Sequence, residues 1–343
     1  MPLKRYFYRR ERYFASLNDN RAVRPFEWGK EFADAAFLSD SNGASPASFW
    51  KHYSENAVKN SDRFFALSEI SDLKFEAPNL TWTSQIETPS PENNVARARF
   101  FPVDKNQKKK RAVVVLPHWN APPESYFALS KVLNRIGIAA LRLTLPYHEE
   151  RRPPETNRAD YLVSPNIGRT LQSIRQAVLD TKAAVAWLKT QGYERVGIVG
   201  TSIGSCTAFL TMVHNEDINV GVFNHVSSYV GDVTWRGIST QHVRRGLENH
   251  VSLEELREFW LPVSPAAYFK NLKHQPPRRM RYIFARYDLT FPIDLSRQTI
   301  AAFKKHGIRH DRTLLPCGHY TLGEAPWVYL DGWKIVSYFR RHL

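Results

Sequence analysis

Strand-like runs that alternate with helical patterns predict an α/β fold for most of this chain of 343 residues. Residues 112–116 are almost all apolar, which is typical of a parallel strand that helices cover on both faces. A later segment spaces its apolar residues three, four and seven positions apart, as on a buried helix face: Ile167, Leu171, Ile174, Val178, Val185 and Leu188. Together these patterns predict a mainly parallel, twisted sheet that is flanked by helices.

The other elements follow from the same patterns and from the turn residues between them. Two early runs, 80–86 and 95–103, are separated by a Pro-Ser-Pro-Glu-Asn-Asn turn and predict an antiparallel hairpin at a sheet edge. A helix is predicted at about 125–135, and another follows residue 204. Further strands are predicted at 138–145, 195–199, 220–223, 281–285 and 312–315.

The chain divides into two predicted parts. Residues 1–75 are predicted to be a helical N-terminal extension, in which Ser45-Pro46 is typical of a helix start. Residues 76–343 form the α/β domain. Within it the alternation stops at about 227–277, a helical and charged stretch that ends near Gln275-Pro276-Pro277. We expect this stretch to be a cap inserted above the strand ends.

Composition and sequence motifs bear on whether the protein binds nucleic acid. There are 48 Lys and Arg against 33 Asp and Glu, a formal net charge of +15 that raises the question of an anionic partner. The basic residues are spread along the chain, and their densest run, Lys108 to Arg111, directly precedes a strand. Interleaved aromatic residues, a helix-turn-helix pattern and zinc-knuckle spacing are missing from the sequence, so we expect no nucleic-acid binding.

The sequence also bears on location. It contains no run of the roughly 20 apolar residues that a membrane span needs, and no apolar core of a signal peptide. Its two cysteines, Cys206 and Cys317, are too few for a disulfide framework and favour a reducing compartment. We therefore expect a cytoplasmic protein.

Ser202 is the candidate nucleophile. It lies in Gly200-Thr201-Ser202-Ile203-Gly204, a G-x-S-x-G pattern that follows an apolar strand and opens an apolar helix. A serine on such a turn is strained, and side chains at the flanking glycines would collide with neighbouring backbone. The start of the helix also favours negative charge, which makes this context more specific than the five letters alone.

A serine hydroxyl needs a base and an orienting acid. His319 is the candidate base because it follows the predicted strand at 312–315, and Gly318 before it is expected to let the loop turn tightly. Asp288 is the candidate acid because it follows the strand at 281–285. It also precedes a helix, where it can act as a cap. Asp232 and Asp311 are weaker candidates because neither follows a predicted strand.

Three segments of the chain resemble the α/β-hydrolase superfamily, and most closely its dienelactone-hydrolase-like and acetyl-xylan-esterase-like members. They are Gly200-Thr201-Ser202-Ile203-Gly204, Ala285-Arg286-Tyr287-Asp288 and Cys317-Gly318-His319. The resemblance extends from residue 112 to the C-terminus. It implies an α/β-hydrolase fold and hydrolysis of ester-type bonds, with 76–343 as the catalytic domain, and it does not select an ester.

An oxyanion hole is expected from two backbone N–H groups, one of them on Ile203. The second lies in the loop Pro117-His118-Trp119-Asn120, where Asn120 is the first candidate and Trp119 the next. Tyr147 and His148, together with His118, are candidate substrate-lining residues. More distant positive charges either meet an anionic substrate or form a solvated rim: Arg151, Arg152, His242, Arg244 and Arg245. His225 is expected to have a packing role.

The lead hypothesis is a serine carboxylic-ester hydrolase that forms an acyl-enzyme intermediate on a small-molecule or lipid ester. We expect no cofactor and no metal; Cys-x-x-Cys spacing is missing from the sequence. The same residues also fit a thioesterase, an acyltransferase or a peptidase. A hypothesis of another class is a membrane-surface or scaffold protein with a vestigial hydrolase core, since the basic, aromatic N-terminus fits peripheral contact with an anionic membrane. The oligomeric state stays open.

Overall fold

The computed structural model describes residues 2–17, 20–38, 45–103, 110–273 and 277–343. These residues form a nine-stranded sheet in the order β1-β2-β3-β5-β4-β6-β7-β8-β9. In chain order the strands are β1 Lys74–Glu76, β2 Asn79–Thr83, β3 Val95–Phe101, β4 Arg111–Leu116, β5 Ala139–Thr144, β6 Arg195–Thr201, β7 Ile218–Asn224, β8 Arg279–Ala285 and β9 Asp311–Leu315.

Strands β4 to β9 pair in parallel, whereas β1, β2 and β3 are antiparallel to their neighbours. The mainly parallel sheet predicted from the sequence is therefore confirmed. The hairpin of β2 and β3 is also present, but it is not the edge of the sheet. The edge strand on that side is β1, whose three residues are all exposed and so carry no pattern of buried positions that would predict a strand.

Helices cover both faces of the sheet. In the described part of the chain they are α1 Pro2–Ser16, α2 Pro46–Lys59, α3 Ser61–Phe64, α4 Phe127–Arg135, α5 Ile167–Thr190, α6 Ile203–Val213, α7 Val230–Arg236, α8 Gln241–Leu247, α9 Leu253–Phe259, α10 Phe269–Lys273, α11 Ile293–Lys305 and α12 Trp327–His342. None of these helices is long and apolar enough to cross a bilayer.

Two apolar cores lie on opposite faces of the sheet, because side chains alternate along each strand. In β4, Val114 faces the larger core, which contains α2, α5, α6 and the segment with α7 to α10. Val113 and Val115 face the smaller core, which is closed by α4, α12 and Phe7 of α1. Part of the N-terminal extension thus packs on each face.

The N-terminal segment contains α1, α2 and α3, but residues 66–73 are not helical and β1 begins at Lys74, so it is helical only in part. The Ser45 hydroxyl accepts a hydrogen bond from the Ser48 N–H at 3.2 Å and caps α2, whose first residue is Pro46. Trp50 and Tyr53 on one face of α2 are buried. The cap region is also helical, with α7 to α10 between residues 230 and 273. The domain limits remain predictions, and Gln275, Pro276, Lys108 and Lys109 lie outside the described residues.

The parallel strands bring the predicted site residues to one edge of the sheet. The carboxyl ends of β4, β6, β7, β8 and β9 meet there, and ligands of open α/β sheets bind at such an edge. Ser202 follows β6 directly, Asp288 follows β8, and His319 follows β9.

Candidate active site

Ser202 lies on a sharp turn between β6 and α6. Its backbone has φ 57° and ψ −122°, a conformation that residues other than glycine adopt only under strain. A Cβ on Gly200 would lie 2.0 Å from the Gly204 carbonyl oxygen, and one on Gly204 would lie 2.4 Å from the Pro117 oxygen. The flanking glycines are therefore required by close backbone contacts, as the sequence predicted.

His319 and Asp288 form a hydrogen-bonded pair. His319 Nδ1 lies 3.1 Å from Asp288 Oδ2. The other carboxylate oxygen, Oδ1, accepts the backbone N–H groups of Thr290 at 2.7 Å and Phe291 at 2.6 Å. Asp288 is thus held in a turn of its own. It does not cap α11, which begins at Ile293 and has Pro292 at the cap position.

The charges of this pair support each other. Burial by itself would raise the pKa of Asp288, but the charge and hydrogen bond of His319 hold that pKa below its ordinary value. Burial by itself would lower the pKa of His319, but Asp288 raises it above its ordinary value, with a further contribution from Glu11. An ionised Asp288 therefore favours a proton on the imidazole, as an orienting acid must.

A second imidazole lies beside Asp288. His225 follows β7, is fully buried, and has its Nε2 3.4 Å from Asp288 Oδ2. Burial lowers the pKa of His225 to about 4, so this ring is neutral at physiological pH. It packs edge-on against His319, with ring centroids 5.0 Å apart. This placement agrees with the packing role expected for His225.

Two cavities meet at Ser202. One has a volume of about 620 Å³ and is lined by both Ser202 and His319, together with Arg21, His118, Arg158 and Tyr320. The other is a cleft of about 50 Å³ between α6 and α7, and its lining is mostly apolar, including Ile203, Cys206, Val230 and Phe291. Ser202 therefore borders a wide cavity whose lining is mixed and includes two arginines, and a narrow cleft whose lining is mostly apolar.

The expected role of Asn120 in the oxyanion hole is not supported. Its backbone N–H donates to His148 Nε2 at 2.9 Å and is therefore occupied. The turn from His118 to Ala121 places Asn120 at φ 58°, a left-handed conformation that asparagine tolerates better than most residues. The same turn sets the direction of the Asn120 backbone N–H. The Trp119 N–H has no hydrogen-bond acceptor among the described residues, so Trp119 and Ile203 are the remaining candidates.

Tyr147 and His148 do not line either cavity, contrary to expectation. Both are buried, and the Tyr147 N–H donates to Asn93 Oδ1 at 2.9 Å. His148 Nδ1 lies 2.8 Å from the Pro146 carbonyl oxygen, so its Nε2 is the acceptor for Asn120. Burial lowers the pKa of His148 to about 3, which keeps this bridge neutral. His148 therefore supports the loop after β4 through Asn120, whereas Tyr147 contacts Asn93.

His118 lines the wide cavity, as expected. Its Nδ1 lies 2.8 Å from the Tyr126 hydroxyl oxygen, and burial lowers the pKa of His118 to about 4. His118 therefore presents a neutral, hydrogen-bonded ring to the cavity.

The residues that were predicted at a solvated rim or at a substrate anion do not share one environment. Arg151 is fully buried, and its Nη1 lies 2.9 Å from Asp180 Oδ2, so neither interpretation was right. Arg152 is exposed and donates to the Asn157 carbonyl oxygen. Arg244 pairs with Glu248 on the surface, and Arg245 is exposed. His242 stacks on Trp119, with ring centroids 5.6 Å apart.

Sequence reasoning missed three residues around the site. Arg21 and Arg158 line the wide cavity, although both are far from any strand end in the sequence. Glu11 of α1 is fully buried against the His319 loop. One signal was available for Glu11: it is the single acidic residue of α1, in the run Arg9-Arg10-Glu11-Arg12.

One group of ligand-type atoms in the described part of the chain is compact enough to hold a metal ion. It consists of His225, Asp288 and His319, whose atoms lie within 4.8 Å of one another. A metal ion there would have to displace the hydrogen bond between His319 and Asp288. His306 and His310 have a His-x-x-x-His spacing, but α11 ends at Lys305, so no helix turns their rings to one side.

Comparisons with known proteins identify the family and support the fold. The family model described as Alpha/beta hydrolase domain containing 18 matches residues 49–258, a range that includes Ser202 and ends before Asp288 and His319. No curated protein matches the chain.

Solved structures show the same fold at low sequence identity. An acylaminoacyl peptidase of Pyrococcus horikoshii has a TM-score of 0.56 at 14% identity, and the match covers 83% of this chain and 43% of that one. An esterase of Pyrococcus furiosus has a TM-score of 0.51 at 14% identity, over 81% of this chain and 97% of that one. A cold-adapted esterase from an Arctic intertidal metagenomic library has a TM-score of 0.50 at 14% identity, over 81% and 100%.

Proposed function

The chain belongs to the family described as Alpha/beta hydrolase domain containing 18, and from that premise we propose that it is a serine carboxylic-ester hydrolase. The observation that carries the proposal is the hydrogen bond between His319 and Asp288 beside a cavity that His319 shares with Ser202. A strained serine at a helix start, a base and a buried acid are the parts that acyl transfer needs.

The reaction proceeds through an acyl-enzyme. Ser202 Oγ forms a bond to the ester carbonyl carbon while its proton moves to His319 Nε2, since Nδ1 faces Asp288. The carbonyl electron pair becomes an oxyanion, which the N–H groups of Ile203 and Trp119 stabilise. The bond to the alcohol oxygen then breaks, and His319 returns its proton to that oxygen. Water repeats the sequence, releases the carboxylic acid and restores Ser202.

The two cavities suggest how the ester lies. His319 must protonate the leaving alcohol, and of the two cavities only the wide one is lined by His319. We therefore assign the alcohol portion to the wide cavity and a short acyl chain to the narrow apolar cleft. Arg21 and Arg158 favour an alcohol portion with an anionic group, because one guanidinium group can donate two parallel hydrogen bonds to a carboxylate or a phosphate.

A fluorophosphonate probe tests the nucleophile. We expect the wild-type protein to be labelled and Ser202→Ala to be unlabelled, with hydrolysis reduced by roughly 10⁶-fold. Ser337→Ala on α12 is the matched control and should be labelled like the wild type. If the wild type stays unlabelled while an active serine hydrolase is labelled in parallel, the proposal is wrong.

The substrate class is tested with p-nitrophenyl esters of graded chain length alongside an acyl-CoA. We expect the highest kcat/KM for the shortest acyl chains, because the acyl cleft holds only about 50 Å³. Faster turnover of the acyl-CoA than of any ester would favour a thioesterase instead.

We also propose a cytoplasmic location, which the two buried, unpaired cysteines support.

A further inference from the structure

The loop that carries His319 is held by a carboxylate from the other end of the chain. Glu11 of α1 is completely buried, and its Oε2 accepts the His319 backbone N–H at 2.8 Å. Its Oε1 accepts the Thr321 N–H at 2.9 Å and the Thr321 hydroxyl at 3.1 Å. The Tyr320 N–H lies 3.1 Å from both oxygens. Three successive backbone N–H groups of the loop thus converge on one side chain.

We propose that Glu11 is a positioning residue for His319, so that α1 is part of the active site and not an appendage to the catalytic domain. The proposal rests on the function proposed above. Glu11 does not face the reacting atoms; it acts through the backbone of the loop that presents the imidazole. Without Glu11, three N–H groups of the loop would lack this acceptor in a partly buried place, which is unfavourable.

Gly318 provides independent support for the contact. Its φ is not in the left-handed region, so the tight turn that the sequence suggested does not explain the glycine. A Cβ at this position would instead lie 2.3 Å from Glu11 Cδ. Any larger residue would therefore push the carboxylate away. The glycine next to the candidate base is required by the close approach of Glu11.

A second contact connects α1 to the Asp288 side of the site. The Phe7 ring stacks on the Tyr287 ring, with centroids 5.0 Å apart and an interplanar angle of 10°. Tyr287 immediately precedes Asp288 in the sequence. One turn of α1 separates Phe7 from Glu11, so a single helix face contacts both loops that hold the imidazole and its acid.

Charge adds to the mechanical role. The titratable groups that face the His319 ring and its loop are Asp288, Glu11, His225 and His118. Burial lowers the pKa of both His225 and His118 to about 4, which leaves the two carboxylates as the charges of the set. Burial raises the pKa of Glu11, and the N–H groups of Thr321 and Tyr320 oppose that rise. A carboxylate that only accepts hydrogen bonds fits the ionised form.

Glu11→Gln is the direct test, because the amide nitrogen cannot accept an N–H and the charge is removed at nearly constant volume. We expect kcat to fall roughly ten- to a hundredfold with KM nearly unchanged, since a misplacement of about 1 Å costs about a hundredfold. We also expect a lower pKa for His319. That pKa is measured from imidazole ¹⁵N resonances, which His319→Gln assigns by loss of a signal.

Matched variants separate positioning from stability. Glu55→Gln makes the same change on the exposed face of α2 and should alter neither kcat nor the His319 titration. Glu11→Asp restores the charge with a shorter reach, so kcat should fall while the pKa of His319 stays close to that of the wild type. If Glu11→Gln does not fold, Gly318→Ala displaces the same carboxylate from the loop side and should also lower kcat.

The two proposals fail in different ways. If the wild type is not labelled by a fluorophosphonate but Glu11→Gln still lowers the pKa of His319, ester hydrolysis is wrong and the positioning role stands. If the wild type is labelled but the folded Glu11→Gln protein keeps both kcat and the His319 titration, the positioning role is wrong. A loss of thermal stability alone, with both readouts unchanged, would also overturn it.

Discussion

Two buried carboxylates approach His319 from different regions of the molecule. Asp288, in the loop after β8, contacts the imidazole ring. Glu11, in α1, accepts hydrogen bonds from the backbone of the His319 loop and from the Thr321 hydroxyl. Asp288 is 31 residues from His319 in the sequence and Glu11 is 308 residues away. Both carboxylates accept backbone N–H groups. They differ in the part of His319 that they contact, which is the ring for Asp288 and the backbone for Glu11.

The difference shows that two carboxylates can control separate properties of one histidine, its tautomer and its position. A carboxylate on the ring fixes which nitrogen carries the proton, and without it the base is in the wrong form. A carboxylate on the backbone fixes where the ring lies, and without it the right base is in the wrong place. Replacing the two should therefore have effects of different size.

Of the two carboxylate replacements, Asp288→Asn should have the larger effect. The Thr290 and Phe291 N–H groups already hold Oδ1, so the asparagine would keep its oxygen there and present its NH₂ group to His319 Nδ1. That arrangement favours the tautomer with the proton on Nε2, which cannot accept the Ser202 proton. We expect kcat to fall by roughly 10⁴-fold, as measured by steady-state hydrolysis.

Asp311→Asn is the control for that measurement, because Asp311 is an exposed residue at the start of β9. It should behave like the wild type. A loss of only tenfold in Asp288→Asn, similar to that expected for Glu11→Gln, would mean that the two carboxylates do not differ in role.

The pH dependence of hydrolysis gives the next largest effect. His319 must be neutral to act as the base, and its pKa is raised above the ordinary value of 6.5, because Asp288 and then Glu11 outweigh the effect of burial. Activity should therefore decline as pH falls through a midpoint above 6.5, with a tenfold loss per pH unit below it. The profile of kcat/KM against pH measures this midpoint. A midpoint below 6.5 would show that the carboxylates do not control His319.

The features that could be predicted from the sequence are those set by neighbouring residues. Ser202, Asp288 and His319 each follow a strand whose apolar pattern is visible, and parallel strands bring their ends to one edge. The flanking glycines of Ser202 follow from the same local turn. The sheet and its helices could be predicted for this reason, and so could the order of the three site residues along the chain.

The features that could not be predicted depend on distant contacts. Asn120 was the expected oxyanion donor, but its N–H donates to His148, which follows β5. No local sequence pattern predicts that hydrogen bond. Tyr147 and His148 follow a strand as the site residues do, yet both are buried away from the cavities, where Asn93 accepts the Tyr147 N–H and His148 accepts the Asn120 N–H. Glu11 lies on a short helix whose charge pattern suggests a solvated surface.

The smallest effect is expected from Phe7→Leu, which keeps an apolar side chain on α1 but removes the stack on Tyr287. Such ring pairs contribute about 0.5–1.5 kcal/mol beyond the buried area, so the free energy of unfolding should fall by about that amount in a denaturant titration. Because Glu11 would remain in place, kcat should change by less than about threefold, well under the loss that a misplaced base produces. A fall in kcat as large as that of Glu11→Gln would mean that α1 acts by packing against the Asp288 loop. The carboxylate would then be a structural contact, and the site would depend on one helix face as a whole.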